Sequence, residues 1–598
     1  MKMRHRNLDE EEEDGSDWNE RQFNGFFLIF TSLLAVVFVL GKFLHDRPRL
    51  QSALPEAGLT VIVGVAASAI IWLVAPHLYD ADLVVNDPKY GSDIRDIANG
   101  LLSFSPTFFF GILIPPIIFN SGHHINKRLF FRHIKPILLY STAGTFINII
   151  VMAVLLNALV KADLTGEFKP HFSELLVFGS LIASTDPVAI LAVFQKKRVD
   201  PQLFYLIFGE SVLNDGVCLV LFDAFSMIVG GEGNFNGPVD AAWSILADFL
   251  ISFTGSMCLG VASGLGVALV LKFVDMRQCR LLETSFYVLV MYLPFFAAET
   301  IRLSGIVTIL FTGISAQHYA ARNLSMGAQD DTDVFFRIIS HIAEVAIFLE
   351  LGLTVFGLGL TSFEDFCIEF FLWSLLVCLV GRACSIYPMT FLFNLSCNHT
   401  KGNQNMMDEL DAEGSLAYTT LNDQTAESSD MSISYNKAHM LWFSGLRGAV
   451  SYACAKNFPD DYGNHFYFVN ITMLIVLVTV FVMGGLNEPF LNFLRIETGV
   501  DEKEYMGKYK EPDNLFRILD RGYIRPRVIR DYKKRKSSYN TEQIKHRISE
   551  SAMNLTRSDS VEVTLDEHRQ LLNILAANSL GYRQASIYDY GAEDSIDI

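Results

Sequence analysis

Two neighbouring apolar runs, residues 174–194 and 202–229, carry acidic side chains in segments long enough to cross a lipid bilayer. The acids are Asp186, Glu210 and Asp215. One carboxylate at the centre of a membrane helix costs roughly 2.5–3.5 kcal/mol. Three together cost about 8–10 kcal/mol, which is comparable to the net stability of a whole domain. Because an ionisable residue inside a membrane is by default part of an ion or proton pathway, these runs indicate a membrane protein that moves ions.

The second run places polar side chains on two neighbouring faces of one helix. Glu210 and Asn214 are four residues apart, and so are Ser211 and Asp215. Residues four apart share a helix face, and the two pairs are offset by about 100°. The helix therefore presents one polar strip that ends in Asn214 and another that ends in Asp215.

A proline interrupts the first run directly after its acid. Pro187 disfavours helical geometry at Asp186 and removes a backbone donor. We therefore expect Ser184, Thr185 and Asp186 to form an unwound break with carbonyl oxygens free to ligate a cation. Broken helices at mid-membrane depth are typical of secondary transporters. Asp186 fits either a cation ligand or a cap on the helix break.

Similar apolar runs recur along most of the chain, in keeping with 51% hydrophobic residues and a mean hydropathy of +0.30. They predict an all-α polytopic domain over residues 23–497, between an acidic disordered tail, 1–22, and a cytosolic tail, 498–598. The first run lacks a basic segment directly ahead and a clear cleavage site, so we expect a retained span. The thirteen runs lie near residues 24–42, 57–76, 101–119, 136–160, 174–194, 202–229, 245–273, 284–299, 304–320, 335–360, 366–395, 438–457 and 466–486.

Lysine and arginine are concentrated in alternate loops, which predicts the orientation of the chain. The loops after the third, fifth and seventh runs are basic, whereas 77–100 and 230–244 are poor in basic residues. The amino terminus is therefore expected to face the lumen or the outside, and the carboxy-terminal tail the cytosol. The glycosylation patterns at Asn323, Asn398 and Asn554 then fall on the cytosolic side, and we interpret them as chance matches.

Thirteen spans suit two inverted six-helix repeats joined by one linking helix, because an offset of seven spans reverses orientation. The fifth span then corresponds to the twelfth, which contains Gly445, Arg447 and Gly448. Two interrupted helices in corresponding places of the two halves are the best pointer to a binding site. We interpret Arg447 as a structural or gating charge near the break.

Composition excludes some partners. The formal net charge of −18 argues against a nucleic-acid partner. The 8 cysteines show no metal-ligand spacing, so we expect no disulfide framework, no zinc and no resident cofactor. His123 and His124, at the cytosolic end of the third run, leave three interpretations open: a solvated helix end, a pH sensor or a metal site.

The cytosolic tail contains a basic segment, residues 521–536, with eight lysines or arginines. Such a segment suits contact with acidic lipids, at about 1 kcal/mol per basic residue near the surface. A solvated charged linker and a helix that binds a regulatory calcium-binding protein are the other interpretations. The polar loop 396–437 is expected to be disordered.

Several motifs together resemble one known family. SerThrAspPro at 184–187 is followed about twenty residues later by PheGlyGluSerValLeuAsnAsp at 208–215. These segments are similar to those of the sodium/proton exchangers of the monovalent cation/proton antiporter family, on the intracellular, endosomal-type branch. Further matching segments are PheGlyIleLeuIleProProIleIlePhe at 110–119, GlyArgAla at 381–383 and PheSerGlyLeuArgGlyAla at 443–449.

The resemblance implies roles for particular residues. It implies that Asp215 is the titrating group and that Glu210 pairs with Arg382 in a salt bridge between the two halves. Direct cation binding by Glu210 is the alternative. Asn214 stands where electrogenic relatives carry a second Asp, which implies electroneutral, one-for-one exchange. Glu344 matches a functionally important acid, whereas the next acid, Glu350, has no such support.

Other polar residues are expected to complete the cation site. Thr185, Ser211 and Asn214 offer oxygen ligands suited to a hard monovalent ion, beside Asp215 and Asp186. Asn120 stands where many relatives carry a carboxylate or another polar residue, and its amide oxygen can also ligate a cation. That departure leaves its role open.

The resemblance implies a homodimeric antiporter, with no enzymatic activity, that exchanges protons for Na⁺ or K⁺ by alternating access. Endosomal or Golgi membranes are the expected location, with a plasma-membrane exchanger as the runner-up. A cation channel also fits helix breaks and polar strips, but a single titrating acid fits exchange better. An intramembrane aspartyl protease requires a GlyXaaGlyAsp motif at its acid, and Asp215 instead follows SerValLeuAsn.

Overall fold

The computed structural model describes residues 2–47, 56–80, 106–186, 188–230, 238–357, 367–411, 432–507 and 519–530. The chain divides into residues 1–530 and 531–598, and all of the described residues belong to the first unit. Pro187 and residues 531–598, which include the end of the basic segment, lie outside the described residues.

Every regular element among the described residues is helical, and helices coincide with all thirteen predicted apolar runs. In chain order they are α1 (Lys2–His45), α2 (Glu56–Asp80), α3 (Ile114–His124), α4 (Thr145–Lys161), α5a (Phe172–Ala183), α5b (Val188–Lys197), α6 (Pro201–Val229), α7 (Pro238–Phe273), α8 (Arg280–Thr300), α9 (Gly305–Ser315), α10 (Met326–Gly357), α11 (Ile368–Asp411), α12a (Tyr435–Phe443), α12b (Ala449–Lys456) and α13 (His465–Val478).

Several helices are extended by π-helical turns or flanked by short helical segments. The π-helical turns are Phe109–Leu113 before α3, Leu139–Gly144 before α4, Ala316–Ala320 after α9, Thr479–Met483 after α13, and Asp520–Ile524. The short segments are Pro106–Phe108, Lys127–Arg132, Ile134–Leu138, Ala321–Asn323, Gly484–Phe493, Glu502–Gly507 and Arg525–Val528.

Nine helices in the described part of the chain are long and apolar enough to cross a membrane. The other four predicted runs correspond to α3, α5, α9 and α12, which are short or broken. Large apolar side chains such as Leu28, Val39 and Leu289 are about 70% exposed on the outside of the long helices. Such surfaces belong in contact with lipid. The chain is therefore a multi-pass membrane protein, and the number thirteen remains a prediction.

Two segments predicted to be disordered are helical where the structure describes them. Helix α1 begins at Lys2 and passes through the acidic stretch 9–14, and α11 continues to Asp411. Extending an existing helix avoids the cost of nucleation, and glutamate has a high helix propensity. Both segments therefore continue the apolar helices beside them. Residues 412–431 of the predicted loop lie outside the described residues.

Packing sorts the membrane helices into two groups. Helices α1, α2, α3, α7, α8, α9 and α10 pack on one another, and α4, α5, α6, α11, α12 and α13 form the second group. We call these groups the scaffold and the core. The core contains both broken helices.

Glycines allow the closest helix contact in the scaffold, between α2 and α10. A Cβ atom on Gly64 would lie 2.6 Å from the carbonyl oxygen of Leu349, and one on Gly352 would lie 2.5 Å from that of Val61. Any larger residue at either position forces the backbones apart. Gly122 of α3 meets α9 in the same way, 2.5 Å from a backbone oxygen.

Residues 519–530, which include the first part of the basic segment, pack against the ends of α7 and α9. Arg530 donates from Nη2 to the carbonyl oxygens of Leu271 and Lys272, at 2.6 and 2.7 Å, where α7 ends. Asn323 donates to the carbonyl of Val528 at 3.0 Å. A cation at a helix carboxy terminus is favourable because it compensates the exposed carbonyls and the helix dipole.

A buried ionic cluster holds the other end of this segment. Asp520 accepts hydrogen bonds from Tyr319 Oη at 2.6 Å and Arg525 Nε at 2.7 Å, and it contacts His318 at 3.2 Å. Arg525 is therefore engaged within the protein, like Arg530. The proposed lipid contact of this segment must depend on its other basic residues.

Candidate functional site

The two broken helices of the core meet at their breaks. The first break comprises residues 184–186 after α5a, and the second comprises residues 444–448 between α12a and α12b. The backbone N–H of Asp186 donates to the carbonyl oxygen of Leu446 at 2.9 Å. The crossing thus brings together the two interrupted helices that the sequence singles out.

Glycine makes this crossing possible. A Cβ atom on Gly448 would overlap the side chain of Asp186, and one on Gly445 would overlap the side chain of Arg382. The second break therefore has no room for any side chain at either position.

Gly448→Ala is expected to separate the breaks and to eliminate the ion movement that the sequence predicts, because the added methyl group displaces Asp186. The matched control is Gly266→Ala, since a Cβ atom there meets nothing within 4 Å. Ion flux and thermal melting of both purified variants measure the effect. Wild-type flux in Gly448→Ala would show that this close approach is not required.

Arg447 caps the carboxy-terminal end of α5a. This arginine is 0% exposed, and its Nη1 donates to the carbonyl oxygens of Ala183 and Ser184 at 2.9 and 3.3 Å. Its Nε and Nη2 donate to Cys378 Sγ at 3.1 and 3.0 Å. The guanidinium therefore satisfies carbonyls that the helix break leaves without intrahelical partners, as the structural interpretation of Arg447 requires.

Arg382 caps the carboxy-terminal end of α12a. Its Nη2 donates to the carbonyl of Leu441 at 2.9 Å, and its Nε donates to that of Trp442 at 3.1 Å. The same guanidinium forms a bidentate ion pair with Glu210, in which Nη1 and Nη2 each donate to one carboxylate oxygen at 3.0 Å. Arg382 and Glu210 are 4% and 3% exposed, respectively. The geometry fits the structural ion pair that the resemblance implies.

Asp215 faces the first break from α6. Its Oδ1 accepts a hydrogen bond from Ser184 Oγ at 2.6 Å, and the backbone of Thr185 donates another. The side chain is buried, with 7% of the residue exposed. A buried carboxylate without a cation in contact is costly, so this position suits a group that is neutralised by a proton or a metal cation.

Asn214 is fully engaged by protein groups. Its Nδ2 donates to the carbonyl of Ala183 at 2.8 Å and to Thr185 Oγ1 at 3.4 Å. Its Oδ1 accepts from Thr145 Oγ1 at 2.6 Å and from Cys218 Sγ at 3.1 Å. This amide links α4, the first break and α6, so cation coordination by its oxygen would require it to exchange partners.

The two hydroxyl groups predicted as ligands lie side by side. Thr185 Oγ1 donates to Ser211 Oγ at 3.1 Å, and both side chains are buried. Asp186 is only half-buried, at the point where the breaks cross. Thr185, Ser211, Asp186 and Asp215 therefore form one cluster around the first break.

The two remaining candidate functional residues that the structure describes lie in the scaffold. Glu344 on α10 is half-buried, with Ser340 Oγ 3.4 Å from its Oε1. Asn120 on α3 has a buried Oδ1 atom without a hydrogen-bond partner. Glu350, which the sequence leaves without a role, is 7% exposed and is therefore not at a solvated helix end.

Sequence reasoning missed several residues of this network. Ser184 contacts the acid directly, Thr145 anchors Asn214, and Thr479 Oγ1 accepts from the backbone N–H of Arg447 at 3.1 Å. The only available signal was the position of Ser184 in the predicted break. Neither Thr145 nor Thr479 has a neighbouring charge in the sequence that would have identified it.

Comparison with known proteins finds a matching family and several similar chains. The family described as "Sodium/hydrogen exchanger, transmembrane" matches residues 31–493. Sodium/hydrogen exchanger 9 of Equus caballus is 36% identical over 424 residues, which cover 69% of this chain and 60% of the relative. Sodium/hydrogen exchanger 8 of Homo sapiens is 31% identical over 518 residues, covering 84% of this chain and 79% of the relative. The match thus spans about three fifths of exchanger 9.

A solved structure shares the fold. The sodium proton antiporter MjNhaP1 from Methanocaldococcus jannaschii, solved at pH 8, superposes with a TM-score of 0.52 over 78% of this chain and 99% of that one. Because the sequence identity is 16%, this likeness concerns the fold alone. The predicted all-helical fold is confirmed.

Proposed function

The chain belongs to the sodium/hydrogen exchanger family, and on that premise we propose that it exchanges Na⁺ or K⁺ for protons through Asp215. The observation that carries the proposal is the placement of this buried carboxylate against an unwound helix break. The exchange is secondary transport, driven by the two ion gradients, and requires no resident cofactor.

The charges at the crossing favour one monovalent ion at a time. Glu210 and Arg382 neutralise each other within their ion pair. Asp215 lies against the first break, and Asp186 and Arg447 belong to the two breaks that cross there. A formal count of these three side chains leaves one uncompensated negative charge. One proton, one Na⁺ or one K⁺ neutralises it, which supports electroneutral, one-for-one exchange.

Competition for the same carboxylate couples the two ions. A bare buried carboxylate is expensive to move across a membrane, whereas a protonated or cation-bound one is not. Only the occupied forms of Asp215 therefore change access from one side to the other. Oxygen ligands from Thr185, Ser211 and Asp186 suit a hard monovalent cation, and Asn214 is proposed to position the break.

Transport by purified protein tests the proposal. In proteoliposomes with a trapped pH dye, Na⁺ and K⁺ gradients are applied separately, first with the membrane potential clamped and then with it released. Proton movement driven by a cation and independent of the potential is expected. Exchange that depends on the membrane potential would mean that a second acid also binds and releases a proton or cation in each transport cycle. Cation flux without counter-movement of protons would indicate a channel.

The cellular setting follows the same proposal. We place the exchanger in endosomal or Golgi membranes as a homodimer that adjusts luminal pH and cation content. Its tail is proposed to be regulatory, through acidic lipids or a calcium-binding partner at residues 521–536. Localisation of the tagged chain and its mass in nanodiscs test the first two statements.

The docked part of the tail yields a pH prediction through Asp520. Burial alone would raise the pKa of this carboxyl, but hydrogen bonds and charge from His318 and Arg525 hold the pKa well below its usual range. A lowered carboxyl pKa stabilises docking in full above the ordinary value of about 3.9, and that stabilisation is lost progressively as the pH falls from there through the lowered pKa. The contribution of Asp520 should therefore stay constant between pH 8 and about 5.

Hydrogen exchange of residues 519–530 measures this docking. Asp520→Asn should accelerate exchange at neutral pH, because the substitution removes the charge that Arg525 contacts. Glu504→Gln, at an exposed acid of the same tail, is the control. Equal protection of the Asp520→Asn variant and the wild type would contradict the assigned role.

A further inference from the structure

A cluster of nitrogen and oxygen donors lies between α3 and α10 of the scaffold, outside the cluster around Asp215 in the core. His123 Nδ1 is 3.5 Å from Asp333 Oδ1, and His124 Nε2 is 3.7 Å from the same oxygen. One ligand atom from each of the three residues lies within 4.8 Å of the others. From this geometry we propose a binding site for a divalent transition-metal ion, of which Zn²⁺ is the best match.

The distances fit a tetrahedral ion. Zn²⁺ binds nitrogen and oxygen ligands at about 2.0–2.2 Å, and the ligand atoms of a regular tetrahedron are then about 3.4 Å apart. The two histidine–aspartate distances are close to that value before any ion is bound. Water completes the fourth position, because Asp333 is 40% exposed.

The hydrogen bonds of His124 prepare it for metal binding. Its Nδ1 is 3.1 Å from the carbonyl oxygen of Asn120. Since a carbonyl only accepts, the Nδ1 atom carries the proton, which leaves the lone pair on Nε2, 3.7 Å from Asp333 Oδ1. Metal-binding histidines commonly donate their second ring N–H to a backbone carbonyl in this way.

His123 supplies the independent observation. This residue is 1% exposed, and its Nδ1 atom is buried without a hydrogen-bond partner. Its other ring nitrogen, Nε2, is 3.1 Å from Tyr287 Oη, which is able to accept a proton from Nε2 and so leave the lone pair on Nδ1. Buried polar atoms without a partner are rare and costly. The unpartnered Nδ1 points towards Asp333, where an ion would satisfy both.

Two imidazoles and one carboxylate select the class of ion. Imidazole suits zinc, copper and nickel, whereas Na⁺, K⁺ and Ca²⁺ prefer oxygen ligands. The site is thus distinct from the cation path at Asp215, and the proposal stands whether or not exchange occurs as proposed. It takes up the metal-site interpretation of His123 and His124 that the sequence left open, and it departs from the expectation of no zinc.

Arg337 competes with the ion. Its Nε donates to His124 Nε2 at 3.1 Å, using the lone pair that a metal ion requires. Metal binding therefore displaces the guanidinium, which lies at an exposed position. A bound ion would tie α3 to α10 at the side predicted to face the cytosol.

Zn²⁺ titration of the full-length protein in nanodiscs, against a fluorescent zinc chelator, tests the site. We expect one Zn²⁺ per chain and at least a roughly tenfold weaker affinity in Asp333→Asn and His124→Gln, since even outer-shell changes cost 10–100-fold. Arg337→Met should bind more tightly, because the competing donor is gone. His341→Gln, at an exposed histidine of α10, should leave the affinity unchanged.

Co²⁺ provides a spectroscopic readout that does not depend on transport. The wild type should show the intense visible absorption of tetrahedral Co²⁺, and Asp333→Asn should lose it while keeping the metal-free melting temperature of the wild type. The proposal fails if wild-type protein does not bind Zn²⁺ at micromolar concentration. It also fails if Asp333→Asn and His124→Gln bind as the wild type does, because the ion then lies elsewhere.

Discussion

Asp215→Asn is expected to abolish cation-driven proton movement while leaving the protein folded and inserted in the membrane. The amide keeps the size of the carboxyl group and can still accept the hydrogen bond from Ser184 Oγ. It neither takes up a proton nor carries the charge that attracts a cation. Flux should therefore fall to the level of empty liposomes, and the melting temperature should stay at or above that of the wild type.

The same helix offers a matched control for this variant. Asp223 lies eight residues further along α6 and is exposed, so Asp223→Asn removes a carboxylate outside the site. This variant should retain exchange. Cation-driven proton flux in Asp215→Asn would contradict the single-carboxylate mechanism. Equal loss of this flux in both variants would point to a general effect of charge on α6.

Arg382→Met is expected to destabilise the protein strongly, by about 3–5 kcal/mol, because it leaves Glu210 buried and unpaired. The loss includes a second contribution. Arg382 also donates to the carbonyls of Leu441 and Trp442, so its removal uncaps α12a at the second break. Glu210→Gln should cost less, since those carbonyl contacts remain. Thermal melting in one detergent compares the two variants.

The double variant separates the ion pair from the cap. In Glu210→Gln with Arg382→Met no unpaired charge remains, so part of the stability should return relative to Arg382→Met alone. The uncapped carbonyls of α12a remain in both, and recovery should therefore be incomplete. A double variant as unstable as the sum of the two single variants would mean that Glu210 and Arg382 do not interact.

Local chemistry made much of the core predictable from the sequence. A proline after an acid predicts a break, and the break begins at Ser184. Long apolar runs predict helices, and a buried arginine demands a partner, which Glu210 supplies. Each of these inferences depends on a single segment of the sequence, or on two motifs that the family resemblance connects.

The rest depends on which backbones approach one another in three dimensions. Asn214 was predicted as a ligand, but Thr145 and Ala183 occupy its amide, and neither contact is visible from spacing. Arg382 was expected to pair with Glu210, and Arg447 was interpreted as a structural or gating charge. Both guanidinium groups bind carbonyls at helix ends, and these ends exist only because the helices break.

The polar network has a mechanical consequence. Its hydrogen bonds join α4, α5, α6, α11, α12 and α13 to one another. We expect alternating access to move the core past the scaffold as one body, because such a motion stretches none of these bonds. Apolar side chains of the core such as Ile150 and Leu372 are exposed, and such surfaces belong in contact with lipid. The rate of turnover should accordingly respond to the thickness and fluidity of the bilayer.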